Sequence, residues 1–186
     1  MTKTGIILGS ARPGRNGEAV ARWVYENTAH RSDAEFELVD LADYKLPLLG
    51  EVHPPAMGRY AQPHTCVWAQ KIASFDSFVI VTPEYNRSVP GALKNAIDFL
   101  HAEWLYKAVG FVSYGSAGGT RAVEHLRLIA GELQMADVRS QVALSLFNDF
   151  ENFTDFKPLD IQRDTLATTL DQVIAWTNAL APLRTR

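Results

Sequence analysis

The segment Gly9-Ser10-Ala11-Arg12-Pro13-Gly14-Arg15-Asn16-Gly17 joins two turn-forming glycines, Gly9 and Gly14, to a hydroxyl at Ser10 and guanidinium forks at Arg12 and Arg15. Beside the free N–H groups that open a helix at about Asn16 or Gly17, such groups could cradle a phosphate. The same residues also suit a flexible turn with two solvated arginines. No Gly-Lys-Ser or Gly-Lys-Thr follows, so this is not a Walker A loop, and the Gly-x-Gly-x-x-Gly of a dinucleotide fold is missing. Asp40, the acid such a fold would set against a ribose, is therefore read as a turn or cap carboxylate. In Thr82-Pro83-Glu84-Tyr85-Asn86 a proline, an aromatic ring and an amide follow an apolar run. That stretch could line a flat heterocycle or act only as a rigid crossover. A third stretch, Ser113-Tyr114-Gly115-Ser116-Ala117-Gly118-Gly119, is richer in glycine and serine than a simple turn requires.

Each stretch follows a short apolar run and precedes a helical pattern. Strands are expected at 5–8, 35–41, 78–81, 108–112 and 138–146. Apolar stripes at helical spacing include Ala19, Val20, Trp23 and Val24; Ala92, Leu93, Ala96, Ile97 and Leu100; Ala122, Leu126, Ile129, Ala130 and Leu133; and Leu166, Leu170, Val173, Ile174 and Leu180. A shorter helix is expected over 67–73, after a long irregular connection rich in proline and glycine. Apolar strands alternating with amphipathic helices predict an α/β fold: a doubly wound, five-stranded parallel sheet with helices on both faces. A flavodoxin-like order, 2-1-3-4-5, would bring the three loops side by side beyond the carboxyl ends of the strands.

The chain of 186 residues is read as a single domain, 1–186, and its 47% hydrophobic content allows a sizeable core. Eighteen Lys and Arg against 21 Asp and Glu give a net charge of -3 with no basic block, which argues against a nucleic-acid partner. No run approaches the ~18 apolar residues of a membrane span. A single cysteine, Cys66, excludes an intrachain disulfide and a multi-thiolate metal site, and points to a reducing compartment. The start of the chain does not read as a leader, so a cytoplasmic protein is expected. His101 and His125 have no second ligand one turn on, and no metal site is expected.

Taken together the three loops resemble the NADPH-dependent FMN reductase family, in family order and across most of residues 5–134. The resemblance implies a flavodoxin-like fold, bound FMN, and hydride transfer from NADPH or NADH to a small acceptor such as free flavin, a quinone or an azo compound. It places Ser10, Arg12, Asn16 and Gly17 on the phosphate, with Arg15 a weaker candidate than Arg12. It sets Pro83, Glu84, Tyr85 and Asn86 along the ring and ribityl chain, and Ser113, Gly115, Gly118 and Gly119 beside the pyrimidine. No residue is required as a catalytic acid or base. The alternative is an FMN electron carrier that does not oxidise nicotinamides. The resemblance also implies a homodimer or a dimer of dimers, with residues 90–98 near the interface. Trp104 is read as a core residue or as part of a wall offered to a partner subunit. Phe147, Phe150, Phe153 and Phe156 lie in an acidic loop over 147–158 and need a dry surface to cover.

Overall fold

A computed structural model describes residues 1–184. Strands β1 (Thr2–Leu8), β2 (Ala34–Asp40), β3 (Ser77–Pro83), β4 (Ala108–Gly115) and β5 (Ala136–Ser145) form one sheet in the order β2-β1-β3-β4-β5. All four pairings are parallel. Every residue of β3 and β4 is buried, as expected for central strands covered above and below.

Successive side chains on a strand leave by opposite faces, and the core divides accordingly. Ile6, Leu8, Val112 and Tyr114 pack with Val20 and Val24 of α1 (Gly17–Glu26) and Leu166 and Leu170 of α6 (Asp160–Arg184). Ile7, Ile80 and Phe111 face the other way. They meet Trp68 and Ile72 of α3 (Pro63–Ala73), Leu93 and Ile97 of α4 (Gly91–Asp98), and Val123 and Leu126 of α5 (Thr120–Glu132). The doubly wound arrangement expected from the sequence is the one observed. Among the described residues no helix is long and apolar enough to cross a membrane.

Several details depart from the sequence reading. The connection after β2 is not wholly irregular: Asp40 accepts a hydrogen bond from the Ala42 N–H at 2.9 Å and so caps a short helix, α2 (Leu41–Tyr44). Helix α3 starts at Pro63, four residues before the apolar stripe, because proline suits a first turn.

The 147–158 segment contains a small antiparallel hairpin, β6 (Phe150–Glu151) with β7 (Asp155–Phe156). Asp149, 1% exposed, anchors it by accepting from Ser145 N at 2.8 Å and Leu159 N at 3.0 Å. Phe150 and Phe156 turn inward, against Tyr114 and Trp23 respectively. Phe147 and Phe153 stay outside and meet edge to face at 5.6 Å. Trp104 is 1% exposed, packs on Phe78 at 5.0 Å and donates its indole N–H to the Ile97 carbonyl. It belongs to this subunit's own core, the first of the two readings the sequence allows, and is not part of a wall offered to a partner.

Candidate functional site

Strand β1 lies between β2 and β3, so the chain leaves β1 in one direction and returns on its other side. The loops that follow β1 and β3 therefore diverge around a crevice, the usual ligand position in such sheets. Their closeness is visible in side-chain bonds. Ser10 Oγ and Tyr85 Oη lie 3.0 Å apart, and Arg12 Nε donates to the same Tyr85 oxygen at 3.2 Å. Residues 75 positions apart in sequence thus form one polar cluster, buried at Ser10 and exposed at Arg12.

The next two positions of the first loop are partly committed to the protein. Arg15 is ion-paired with Asp40 and its side chain is only 10% exposed. Asn16 donates its side-chain amide to the Phe153 carbonyl at 2.7 Å, tying this loop to the β6–β7 hairpin, and makes no side-chain cap on α1. The first turn of α1 therefore presents backbone N–H groups that no side chain of the cap residue satisfies. Gly17 opens the helix where a larger residue has no space: a Cβ there would lie 2.5 Å from Tyr114 Oη and 2.8 Å from Leu8 Cδ1.

Beyond β3 the chain makes a tight reversal. Tyr85 and Ser88 exchange both backbone hydrogen bonds, with Asn86 at φ 50° and Arg87 at φ 67°. Two left-handed residues in succession are the geometry of a type I′ turn, usually filled by Asn and Gly. Asn86 and Arg87 project at its exposed tip. Pro83 is buried as the last residue of β3, and the Glu84 N–H donates to the Tyr114 carbonyl at 3.1 Å. The Glu84 carboxylate, 6% exposed, is ion-paired with the Arg121 guanidinium and also accepts from the Arg121 backbone N–H at 3.2 Å. It caps the first turn of α5 and couples the second loop to the third.

That third loop is shaped by glycine. Gly119 has φ 71°, and a Cβ there would meet Ser113 Cβ at 2.7 Å and Tyr114 N at 2.8 Å. Gly118 is also left-handed, and its N–H returns to the Gly115 carbonyl at 3.1 Å. Ser113 is fully buried and donates its hydroxyl to the Gly118 carbonyl at 2.7 Å, which holds the loop closed from beneath. Ser113 thus shapes the loop rather than presenting its hydroxyl at the surface. Two residues outside the expected ligand set belong here. Arg121 pairs with Glu84 only because β3 and β4 lie side by side. Tyr114 packs in the core, yet its phenol oxygen and Arg15 Nε are buried polar atoms without a hydrogen-bond partner.

A parallel 2-1-3-4-5 sheet, with these loops meeting beyond the carboxyl ends of its strands, defines a flavodoxin-like α/β protein. The profile of the NADPH-dependent FMN reductase family matches residues 2–149, and the chain belongs to that family. An NAD(P)H-dependent FMN reductase of Schizosaccharomyces pombe is 41% identical over 146 residues, covering 77% of this chain and 73% of that protein. A 2-hydroxy-1,4-benzoquinone reductase of Burkholderia is 30% identical over 184 residues, covering 94% and 95%. The fold is shared with the FerB flavoenzyme of Paracoccus denitrificans at a TM-score of 0.74 and 18% identity, over 96% of this chain and 98% of that one. The protein is an enzyme, a flavin-dependent oxidoreductase that uses NAD(P)H as reductant.

Proposed function

We propose that the protein carries hydride equivalents from NADPH or NADH, by way of FMN held at the carboxyl end of the sheet, to a small planar acceptor: a free flavin, a quinone or an azo compound. The observation that carries this reading is the Ser10–Tyr85–Arg12 cluster, which joins the phosphate loop to the ring loop. The donor set fits the cofactor. Ser10, Arg12 and the N–H groups at Asn16 and Gly17 supply hydroxyl, guanidinium and backbone donors for a dianion. Arg15 contributes charge from its place beside Asp40. Tyr85, Asn86, Pro83 and the Glu84 backbone border the place of the ring and ribityl chain. The backbone of Gly115, Gly118 and Gly119 lies beside the pyrimidine, with Ser113 supporting it from below.

When bound, FMN supplies the redox chemistry itself, and the protein supplies binding, orientation and electrostatics. The Glu84–Arg121 pair, buried at its carboxylate and open at its guanidinium, ties the second loop to the third, so both can hold fixed positions around the ligand. No side chain is needed to take or give a proton at carbon. Anaerobic mixing of the FMN-loaded protein with NADPH and with NADH tests the reading. Bleaching of the flavin absorbance by at least one is expected; failure of both would favour the electron-carrier alternative.

A homodimer, or a dimer of dimers, is part of the same proposal. The segment before and within α3 exposes Leu48, Val52, Met57 and Val67 at 86, 83, 59 and 57%. Asn95 of α4 pins this segment by accepting from Leu49 N and donating to the Pro47 carbonyl, at 2.9 and 2.7 Å. Light scattering at tens of micromolar should return at least a dimer mass, and a monomer would remove this part alone.

A further inference from the structure

Tyr114 lies at the end of β4 with 5% of its surface exposed, and its hydroxyl is buried without a hydrogen-bond partner. The side chain leaves the sheet on the α1 face, where its oxygen reaches the first residue of that helix. The Cβ that Gly17 lacks would sit 2.5 Å from it. Tyr85, Arg12 and Arg15 all act electrostatically on this phenol, which places it inside the cluster built by the first two loops. The Gly17 N–H acts on the same oxygen as a donor, and no acceptor receives the hydroxyl proton. Burial raises the phenol's pKa well above its usual value, so the group is a proton-bearing donor across the working range of pH. The ring is wedged against Phe150 at 6.3 Å, so the hydroxyl is held in place by packing.

A buried donor with no acceptor is a standing cost to the folded protein, and natural structures retain few of them. Here the donor sits at a helix N-terminus whose cap residue offers no side-chain bond, beside a glycine whose missing side chain leaves the oxygen room. We propose that Tyr114 donates its hydroxyl to the phosphate of the bound flavin nucleotide, approaching from beneath the loop while Ser10 and Arg12 approach from the side. This rests on the reading of FMN at the N-terminus of α1. It makes Tyr114 a residue that selects phosphorylated flavin over riboflavin, and it explains why this position carries a hydroxyl that the apoprotein leaves unpaired.

Tyr114→Phe removes one oxygen and keeps the ring. Dissociation constants for FMN and riboflavin are measured by flavin fluorescence on wild type and variant apoprotein, together with the melting temperature of each apoprotein. The variant should bind FMN at least about tenfold more weakly, the loss expected for a hydrogen bond to a charged group, with riboflavin affinity unchanged. Its apoprotein should melt no lower than wild type, because an unpaired buried hydroxyl has been deleted. Equal losses for the two ligands, or no loss for either, would overturn the proposal, as would a clear drop in apoprotein melting temperature, which would mean that the hydroxyl has a structural partner. Wild-type protein that binds FMN no better than riboflavin would instead remove the phosphate-site reading itself, a result obtained without the variant.

Discussion

The two ends of the sheet handle buried polar groups in opposite ways. At the amino end lies an open cleft of about 880 Å³, lined in part by Asp76, Tyr106, Lys107 and Arg184. Its charges are tied up. Lys107 Nζ donates to the Ile72 carbonyl at 2.9 Å and lies 5.4 Å from the centre of the Phe78 ring. Asp76 accepts from the Lys3 N–H at 2.8 Å, and Arg184 donates to the carbonyls of Tyr106 and Thr177. At the carboxyl end, Tyr114 Oη and Arg15 Nε have no acceptor, and the Arg12 guanidinium reaches only a neutral phenol. Apart from the buried Thr2 hydroxyl, the polar groups named at the larger opening are satisfied within the fold, whereas the carboxyl end keeps donors free at the loops that are candidates to hold a ligand.

Four variants sharpen this contrast. Gly119→Ala should act most strongly: a Cβ at φ 71° and 2.7 Å from Ser113 Cβ forces the third loop to move. About 3 kcal/mol of stability should be lost in urea unfolding, with FMN retention falling in parallel. An unchanged unfolding midpoint would show that the loop has room to relax.

Arg12→Ala should weaken FMN binding about thirtyfold and leave riboflavin nearly untouched, since only the phosphate rewards a guanidinium there. Arg15→Ala should do less, because its charge is already shared with Asp40. Fluorescence titration with both flavins decides, and equal losses would move Arg12 away from the phosphate.

Lys107→Met addresses the satisfied end and should leave flavin binding alone. Burial lowers the Lys107 pKa from its ordinary 10.5 to about 8. Between those values the unfolded chain holds more protons than the folded one, so wild-type stability should rise as pH climbs from about 8 to about 10.5. The methionine variant should lose that rise and gain about 1–2 kcal/mol near pH 7, after allowing for the lost bond to Ile72. Denaturant unfolding across the pH range checks it. A flat wild-type profile would mean that Lys107 keeps its proton in the folded protein.

Much of the site was legible because its chemistry is local. Three glycines, a serine and two arginines within Gly9–Gly17 mark a candidate anion cradle that can be read from the segment itself. The Thr82–Asn86 and Ser113–Gly119 stretches follow apolar runs that mark strand ends. What was not legible depended on where a side chain goes after it leaves the backbone. Glu84 reads as a ribityl or backbone contact from its place in the motif, and becomes a cap on α5 only because β3 and β4 lie side by side. Asn16 reads as a phosphate ligand and is found bonded to Phe153, 137 residues away. Trp104 could be read as core or as a wall for a partner, and packing against Phe78 and Trp68 makes it core.

The alternation of apolar strands with amphipathic stripes determined the class of fold, since each buried strand needs apolar cover on both faces and each helix one dry side. Loop composition singled out three segments as candidates to hold a ligand. The partners of those segments were decided only in three dimensions. The 2-1-3-4-5 order sets Ser10 against Tyr85, Asp40 against Arg15, and the phenol of Tyr114 beneath the first turn of α1. These pairings bring together residues 25 to 97 positions apart, and hydrogen bonds act over about 3 Å, so no window read along the chain could contain both members of any of them.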